Sequence, residues 1–179
     1  MAQLFTISSR ELMKKLMEGE RDFSRRKLGG APLGIDEIAQ LNMYLKSADL
    51  SGEPVILDLA DISGANAPEI YAPHTRARGA RIVGARFPGA VLSYCDLSPF
   101  VHPNRTQTRT DLSYTRFDRA QMDNSDISGA TLRGTRFMYT NLWDAKMEGV
   151  AGLEDALFLD SAIMRREQRA TIDAYLRGR

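Results

Sequence analysis

From Ile82 to Met147 a large apolar residue returns at every fifth position. The series is Ile82, Phe87, Leu92, Leu97, Leu112, Phe117, Met122, Ile127, Leu132, Phe137, Leu142 and Met147, with only His102 and Gln107 out of character. Two residues ahead of each sits a small one: Ala80, Ala85, Ala90, Cys95, Thr110, Thr115, Ala120, Ser125, Ala130, Thr135, Thr140 and Ala145, interrupted only by Phe100 and Arg105. A helix repeats near 3.6 residues and a strand at 2, so neither keeps these columns on one face. A period of six fails as well, because it meets Pro88, Tyr94, Phe100 and Thr106. One large and one small inward side chain per five residues describe a narrow coil that turns a corner once per unit. The frame reaches back through Leu57 and Ile62 and forward, after a one-residue shift, through Leu153, Phe158 and Ile163.

Individual units carry more than periodicity. Ala60-Asp61-Ile62-Ser63-Gly64, Thr110-Asp111-Leu112-Ser113-Tyr114, Ser125-Asp126-Ile127-Ser128-Gly129 and Thr140-Asn141-Leu142-Trp143-Asp144 resemble the pentapeptide-repeat family. That motif runs small residue, Asp or Asn, Leu or Phe, Ser or Thr or Arg, and often Gly. The resemblance spans residues 48–163. It implies an all-β fold with helical caps, a right-handed quadrilateral parallel β-helix with four units per coil and about five coils. Glu20-Arg21-Asp22-Phe23-Ser24 resembles the start of such a coil. The Asp or Asn before each large residue (Asp61, Asp96, Asp111, Asp126, Asn141) is expected to bond nearby backbone at the corner rather than to act as a catalytic carboxylate.

The expected organisation has three parts. Residues 1–47 form an N-terminal cap region with two helices, residues 48–163 the β-helix, and residues 164–179 a C-terminal helix. Ser8 and Glu11 have capping-box spacing, Leu12, Met13, Leu16 and Met17 share a helical face, and Gly19 stops the helix. Residues 36–47 read as a second helix with Ile38, Leu41 and Leu45 as its stripe, inserted in the first coil between Asp22-Phe23-Ser24 and Ala48-Asp49-Leu50. The tail carries Met164, Ile172, Tyr175 and Leu176 on a rough stripe. It is expected to cover the open apolar end and unpaired edge of the coil; the alternative is a homodimer through this helix, as in some family members. Two stretches depart from the motif. Residues 67–79 put Ala67, Ala72 and Ala77 at large positions, and residues 100–109 put Phe100 and Arg105 at small ones. Both read as irregular walls or outward loops, which are favoured places for binding.

Composition narrows the function. Lys and Arg number 24 against 23 Asp and Glu, so the net charge is +1 and nucleic acid is an unexpected partner. A single cysteine excludes a disulfide framework and any multi-cysteine zinc site. Cys95, in the small column, reads as a buried hydrophobe with Thr75, Thr115 and Thr135 as stack neighbours. His74 and His102 have no carboxylate partner in sequence, and Asp144 with Glu148 reads as an exposed acidic pair. No catalytic residue, cofactor site, metal site or membrane span is expected. The first ten residues lack the basic-then-apolar pattern of a signal peptide, so the expected location is the cytoplasm. At twenty-residue spacing, His74, Tyr94 and Tyr114 would stack on one wall. Arg76, Asp96, Arg116 and Arg136 would share a second, with Arg119 and Tyr139 beside it. Tyr and Arg are enriched in interface hot spots, so Tyr94, Tyr114, Arg116, Arg119, Arg136 and Tyr139 form the candidate partner surface. The reading is a non-enzymatic protein-interaction module with an unknown protein partner. The resemblance also brings an alternative, since some family members mimic duplex DNA and bind DNA gyrase or topoisomerase IV. Such mimicry needs a strongly acidic surface, and residues 55–163 hold eleven basic and thirteen acidic side chains.

Overall fold

Parallel backbone bridges join one unit to another across the repeat and arrange the chain in four ladders. Residues 5–29, 34–48 and 50–178 are described by the computed structural model of this chain; Asp49, in one unit quoted above, lies outside them. Ladder 1 runs Asp22, Ile56, Arg76, Asp96, Asp126, Lys146, and ladder 2 runs Lys27, Asp61, Arg81, Asp111, Thr131, Ala151. Ladder 3 runs Asn66, Arg86, Arg116, Arg136, Leu157, and ladder 4 runs Tyr71, Val91, Gln121, Asn141, Ile163. The result is a repeat β-helix. The corner carboxylates work as expected: Asp61, Asp96, Asp111 and Asp126 each accept the N–H two residues on, at 2.9–3.1 Å. In the small column, Thr115, Thr135 and Thr140 donate their buried hydroxyls to the carbonyls of Ile82, Leu112 and Phe117, so these polar groups cost little to bury.

Both ends are closed by other elements. Strand β1 (Phe5–Ser8) pairs in parallel with β2 (Arg26–Gly29), which extends ladder 2 to its N-terminal edge. Helix α1 (Ser9–Met17) starts at Ser8, whose hydroxyl accepts the Glu11 N–H at 3.1 Å. Helix α2 (Ile35–Ser47) buries Ile38, Leu41 and Leu45. The bridges Asp22–Ile56 and Lys27–Asp61 place the first turn of the coil at residues 22–29, inside the stretch read as a cap region, with α2 inserted before the second. At the other end α3 (Arg166–Arg177) buries Ile172. Its Gln168 amide donates to the carbonyls of Leu142 and Ala145, and Arg169 donates to those of Leu159 and Ala162. Leu142 and Leu159 also accept the turn N–H groups of Ala145 and Ala162, whereas the Ala145 and Ala162 carbonyls accept no backbone N–H among the described residues, so the tail satisfies those two.

Three expectations need correction. Residues 67–79 are neither a loop nor an irregular wall: Asn66, Tyr71 and Arg76 stand in ladders with a left-handed turn after each, at Glu69, His74 and Gly79. What departs from the motif there is interior volume. Residues 100–109, by contrast, do leave the wall. Strands β3 (Phe100–Val101) and β4 (Gln107–Thr108) pair antiparallel. Between them Arg105 donates its N–H to the His102 carbonyl, closing a tight turn, and takes the left-handed conformation at φ 66°. The bridge partner of Arg81 is therefore Asp111 rather than residue 101, a spacing of thirty residues instead of twenty. At the C-terminal end the shift grows, because Arg136 pairs with Leu157 and Asn141 with Ile163. Phe158 and Ile163 consequently point outward, while Leu153 and Leu159 are buried.

The core column divides in two. Leu112, Met122, Ile127, Leu132, Phe137 and Leu142 are 0% exposed, and Phe117, Ile82 and Leu97 are also buried. Phe87 and Leu92, with Leu57 and Ile62 before them, are only half-buried, because they face a cavity of 260 Å³. Met147, near the C-terminal end, is half-buried too.

Candidate functional site

The extra ten residues of the hairpin decide which outward side chains share a wall. The fifth residue of each unit takes the left-handed conformation at φ near +60°, where glycine is sterically cheapest and other residues cost about 1–2 kcal/mol each. Tyr94, Tyr114, Arg119 and Tyr139 all occupy such positions, at φ 60°, 60°, 61° and 56°. Tyr94 stands between ladders 4 and 1, where its ring stacks on His74 at 5.0 Å between centroids and 8° between planes. Tyr114 stands between ladders 2 and 3, so the expected stack of His74, Tyr94 and Tyr114 does not form. Nor do Arg76 and Asp96 share a wall with Arg116 and Arg136: the first two are in ladder 1, the others in ladder 3 below Arg86. The stack neighbours of Cys95 are likewise Thr75 and Ser125, not Thr115 and Thr135.

Five of the six candidate residues nevertheless come together. Arg116 and Arg136 lie in ladder 3, Tyr114 turns into it, and Arg119 and Tyr139 turn out of it. Tyr94 is excluded. Arg86, which sequence reasoning did not select, joins the group, and its signal was the thirty-residue step hidden by the hairpin. Tyr114 keeps its seat because residue 134 is glycine: a side chain there would place its Cβ 2.7 Å from the Tyr114 ring. Tyr114 and Tyr139 are more than half exposed, at 55% and 58%.

The arginines of ladders 1 and 3 behave differently. On ladder 1, Asp58 is buried and accepts from Arg76 Nε at 3.0 Å, Arg78 Nη2 at 2.8 Å and the Arg78 N–H at 3.0 Å. Its hydrogen bond holds the Arg78 guanidinium above its ordinary pKa against the opposing effect of burial. These arginines hold the wall together. On ladder 3, Arg136 binds Asp118 at 3.1 Å and lies over the Phe158 ring at 4.9 Å. Arg86, Arg116 and Arg119 are exposed, and among the described residues their guanidiniums have no hydrogen-bond or ion-pair partner. The ladder therefore presents two free cations, Arg86 and Arg116, on adjacent coils whose backbones lie about 4.8 Å apart, with Arg119 free at the next corner and two tyrosines beside them.

The remaining candidates are engaged elsewhere. His102 bonds the Thr108 hydroxyl at 2.8 Å and packs edge-on against Phe100 at 5.1 Å. Asp144 pairs with Arg165 and Glu148 accepts from Ser128, so the two do not face each other. Burial pushes the Cys95 thiol up to about 12. Among the described residues no group of three or more His, Cys, Asp or Glu is placed to hold a metal, and no helix is long and apolar enough to cross a membrane.

The family model of pentapeptide repeats matches residues 108–137 and 115–150, with eight copies. No curated protein sequence matches significantly. Among solved structures, HetL of the cyanobacterium Nostoc sp. strain PCC 7120, a pentapeptide repeat protein involved in heterocyst differentiation regulation, is 22% identical. The match covers 80% of this chain and 72% of HetL, with a TM-score of 0.31. A pentapeptide repeat protein of the Arabidopsis thaliana thylakoid lumen is 24% identical over 64% of this chain and 73% of its own, with a TM-score of 0.31. Full-length QnrB1, a plasmid-mediated fluoroquinolone resistance protein, is 18% identical over 87% and 82%, with a TM-score of 0.24.

Proposed function

This chain carries pentapeptide repeats, and from that premise we propose that it is a non-enzymatic protein-interaction module whose contact surface is the ladder 3 wall. The four ladders support a right-handed, four-sided coil with five-residue walls as the rigid frame of that surface. One observation carries the reading: Arg86, Arg116 and Arg119 are exposed and unpaired, whereas the arginines of ladder 1 are tied to Asp58. Exposed guanidiniums held on a rigid backbone lose little conformational freedom on binding and pair with carboxylates in bidentate fashion. The flanking Tyr114 and Tyr139 add flat apolar area at low entropic cost. The partner is accordingly an acidic protein surface. Duplex-DNA mimicry finds no support on this wall, which displays cations where a site built for phosphates requires anions. The tail helix α3 is occupied in closing the coil, which supports the wall rather than the tail as the contact surface.

The test is affinity capture from host lysate with three proteins: wild type, Arg86→Glu/Arg116→Glu/Arg119→Glu, and a control with Gln121→Glu/Thr131→Glu on ladders 4 and 2. A partner held by wild type and control but lost at least tenfold by the ladder 3 variant is the expected result. Equal recovery by all three proteins removes this wall from consideration.

A further inference from the structure

The 260 Å³ cavity lies inside the coil, between the helices α1 and α2 and the ring of Phe117. It exists because Ala67, Ala72 and Ala77 occupy consecutive large positions in a wall that is otherwise regular. Only after the hairpin do the corresponding positions, Phe117, Met122 and Ile127 and then Phe137 and Leu142, become fully buried. Three consecutive small residues at positions that elsewhere fill the interior leave room about two coil layers deep, or roughly 10 Å.

The chemistry of the lining selects its ligand. Among the described residues no charged side chain and no histidine lines the cavity. The Thr75 hydroxyl and the Cys95 thiol, which face it, both donate to the Ala72 carbonyl and so are already satisfied. Ser9, Ser63 and Asn66 are the other polar side chains of the described lining, and among the described residues the Ser63 hydroxyl is buried without a partner; the remainder is apolar, with two phenylalanine rings. A charged molecule would lose its hydration here without compensation. Among the described lining residues only Gly64, in the turn between ladders 2 and 3, and Asn66, at the start of ladder 3, are exposed, which places access at that corner. An apolar cavity of about 150 Å³ is enough to admit benzene.

We propose that this cavity is a binding site for one uncharged, slender apolar molecule, of the size of a substituted aromatic ring or a medium alkyl chain, entering beside Gly64 and Asn66. The site does not use the ladder 3 arginines, although Asn66 at its mouth stands at the start of that ladder.

The experiment uses the full chain and two probes, ethylbenzene for a ring and 1-octanol for a chain. Titration calorimetry and thermal melts are run on wild type, on Ala67→Leu/Ala72→Leu, on Ala72→Val, and on the ladder 3 charge-reversal variant. Wild type binds at least one probe one-to-one, with a Kd on the order of 0.1–1 mM, and melts at a higher temperature in its presence. The double variant fills the space and loses binding more than tenfold. Ala72→Val, which adds only two methyl groups, weakens it at least threefold and covers the case in which the double variant does not fold. The ladder 3 variant binds the probes like wild type. Absence of saturable binding of both probes to wild type overturns the proposal, as does undiminished binding by the folded variants.

Discussion

The coils before the hairpin and those after it are written in the same repeat, yet one set encloses a cavity and the other is solid. In residues 110–142 every large column is sealed, from Leu112 to Leu142. In residues 55–92 the equivalent Leu57, Ile62, Phe87 and Leu92 are half-buried around 260 Å³ of space. At about 24 cal/mol per Å³ for enclosed space, a cavity of this volume costs at most roughly 6 kcal/mol against a filled interior, and less where it opens to solvent. The backbone ladder is equally regular in both halves. Hydrogen bonding between coils and packing within them are thus separable: the ladder tolerates a hollow interior so long as its own N–H and C=O groups remain paired. Stability then concentrates in the C-terminal half, and the N-terminal half depends on α1 and α2 for cover.

The largest effect should come from charging the solid half. Leu112→Asp places a carboxylate among fully buried side chains with no partner, and loss of the ordered β signal in circular dichroism at 25 °C is expected. A soluble, cooperatively melting Leu112→Asp protein would contradict the packed interior. A milder pair of variants compares the halves directly. Phe137→Ala and Phe87→Ala delete the same ring from the same column. The first should cost about 3–5 kcal/mol in chemical denaturation and the second no more than about half of that, because Phe87 already borders open space. Equal losses would mean that the two halves are packed alike.

The smallest effect concerns Cys95, at the border of the cavity. Burial raises its folded-state pKa to about 12, above the ordinary thiol value of about 8.5. A thiol whose pKa is raised by folding contributes its full stability below the unfolded value. That contribution declines as pH climbs from about 8.5 toward the folded value. Reaction with a charged disulfide reagent at pH 8 should therefore be at least a hundredfold slower than in denaturant. Replacing Cys95 with Ser should flatten the fall in melting temperature between pH 8 and 10. Rapid labelling of the native protein would place the thiol in contact with bulk water.

The coil itself was legible because its column pattern is a local rule repeated many times. The turns of the cap helices were legible too, from Ser8 and from the Ile38, Leu41 and Leu45 stripe, which the structure buries. The expected wall was assembled incorrectly for a specific reason. A hairpin of ten residues is two units long, so it preserves the period of five while displacing the period of twenty. Nothing in the five-residue frame marks the difference between ten residues in the wall and ten outside it. Phe100 and Arg105 at small positions were the visible sign that those units had left the coil; Phe100 instead packs over Gly79 and beneath Arg78. The alanines at 67, 72 and 77 misled in the opposite direction. They read as a break in the wall, although alanine is compatible with every backbone bond the wall makes.

What the sequence determined by itself was the repeat, its inward and outward columns, its corner carboxylates and the need for caps, because each of these depends on residues within one unit or its neighbours. The tertiary structure alone decided which units stack, and so which arginines stand free on ladder 3 and which are bound to Asp58. It also decided that the alanine coil is hollow. Both depend on contacts between residues twenty or thirty positions apart, where the pairing of whole coils, and not the character of any one side chain, determines the neighbours.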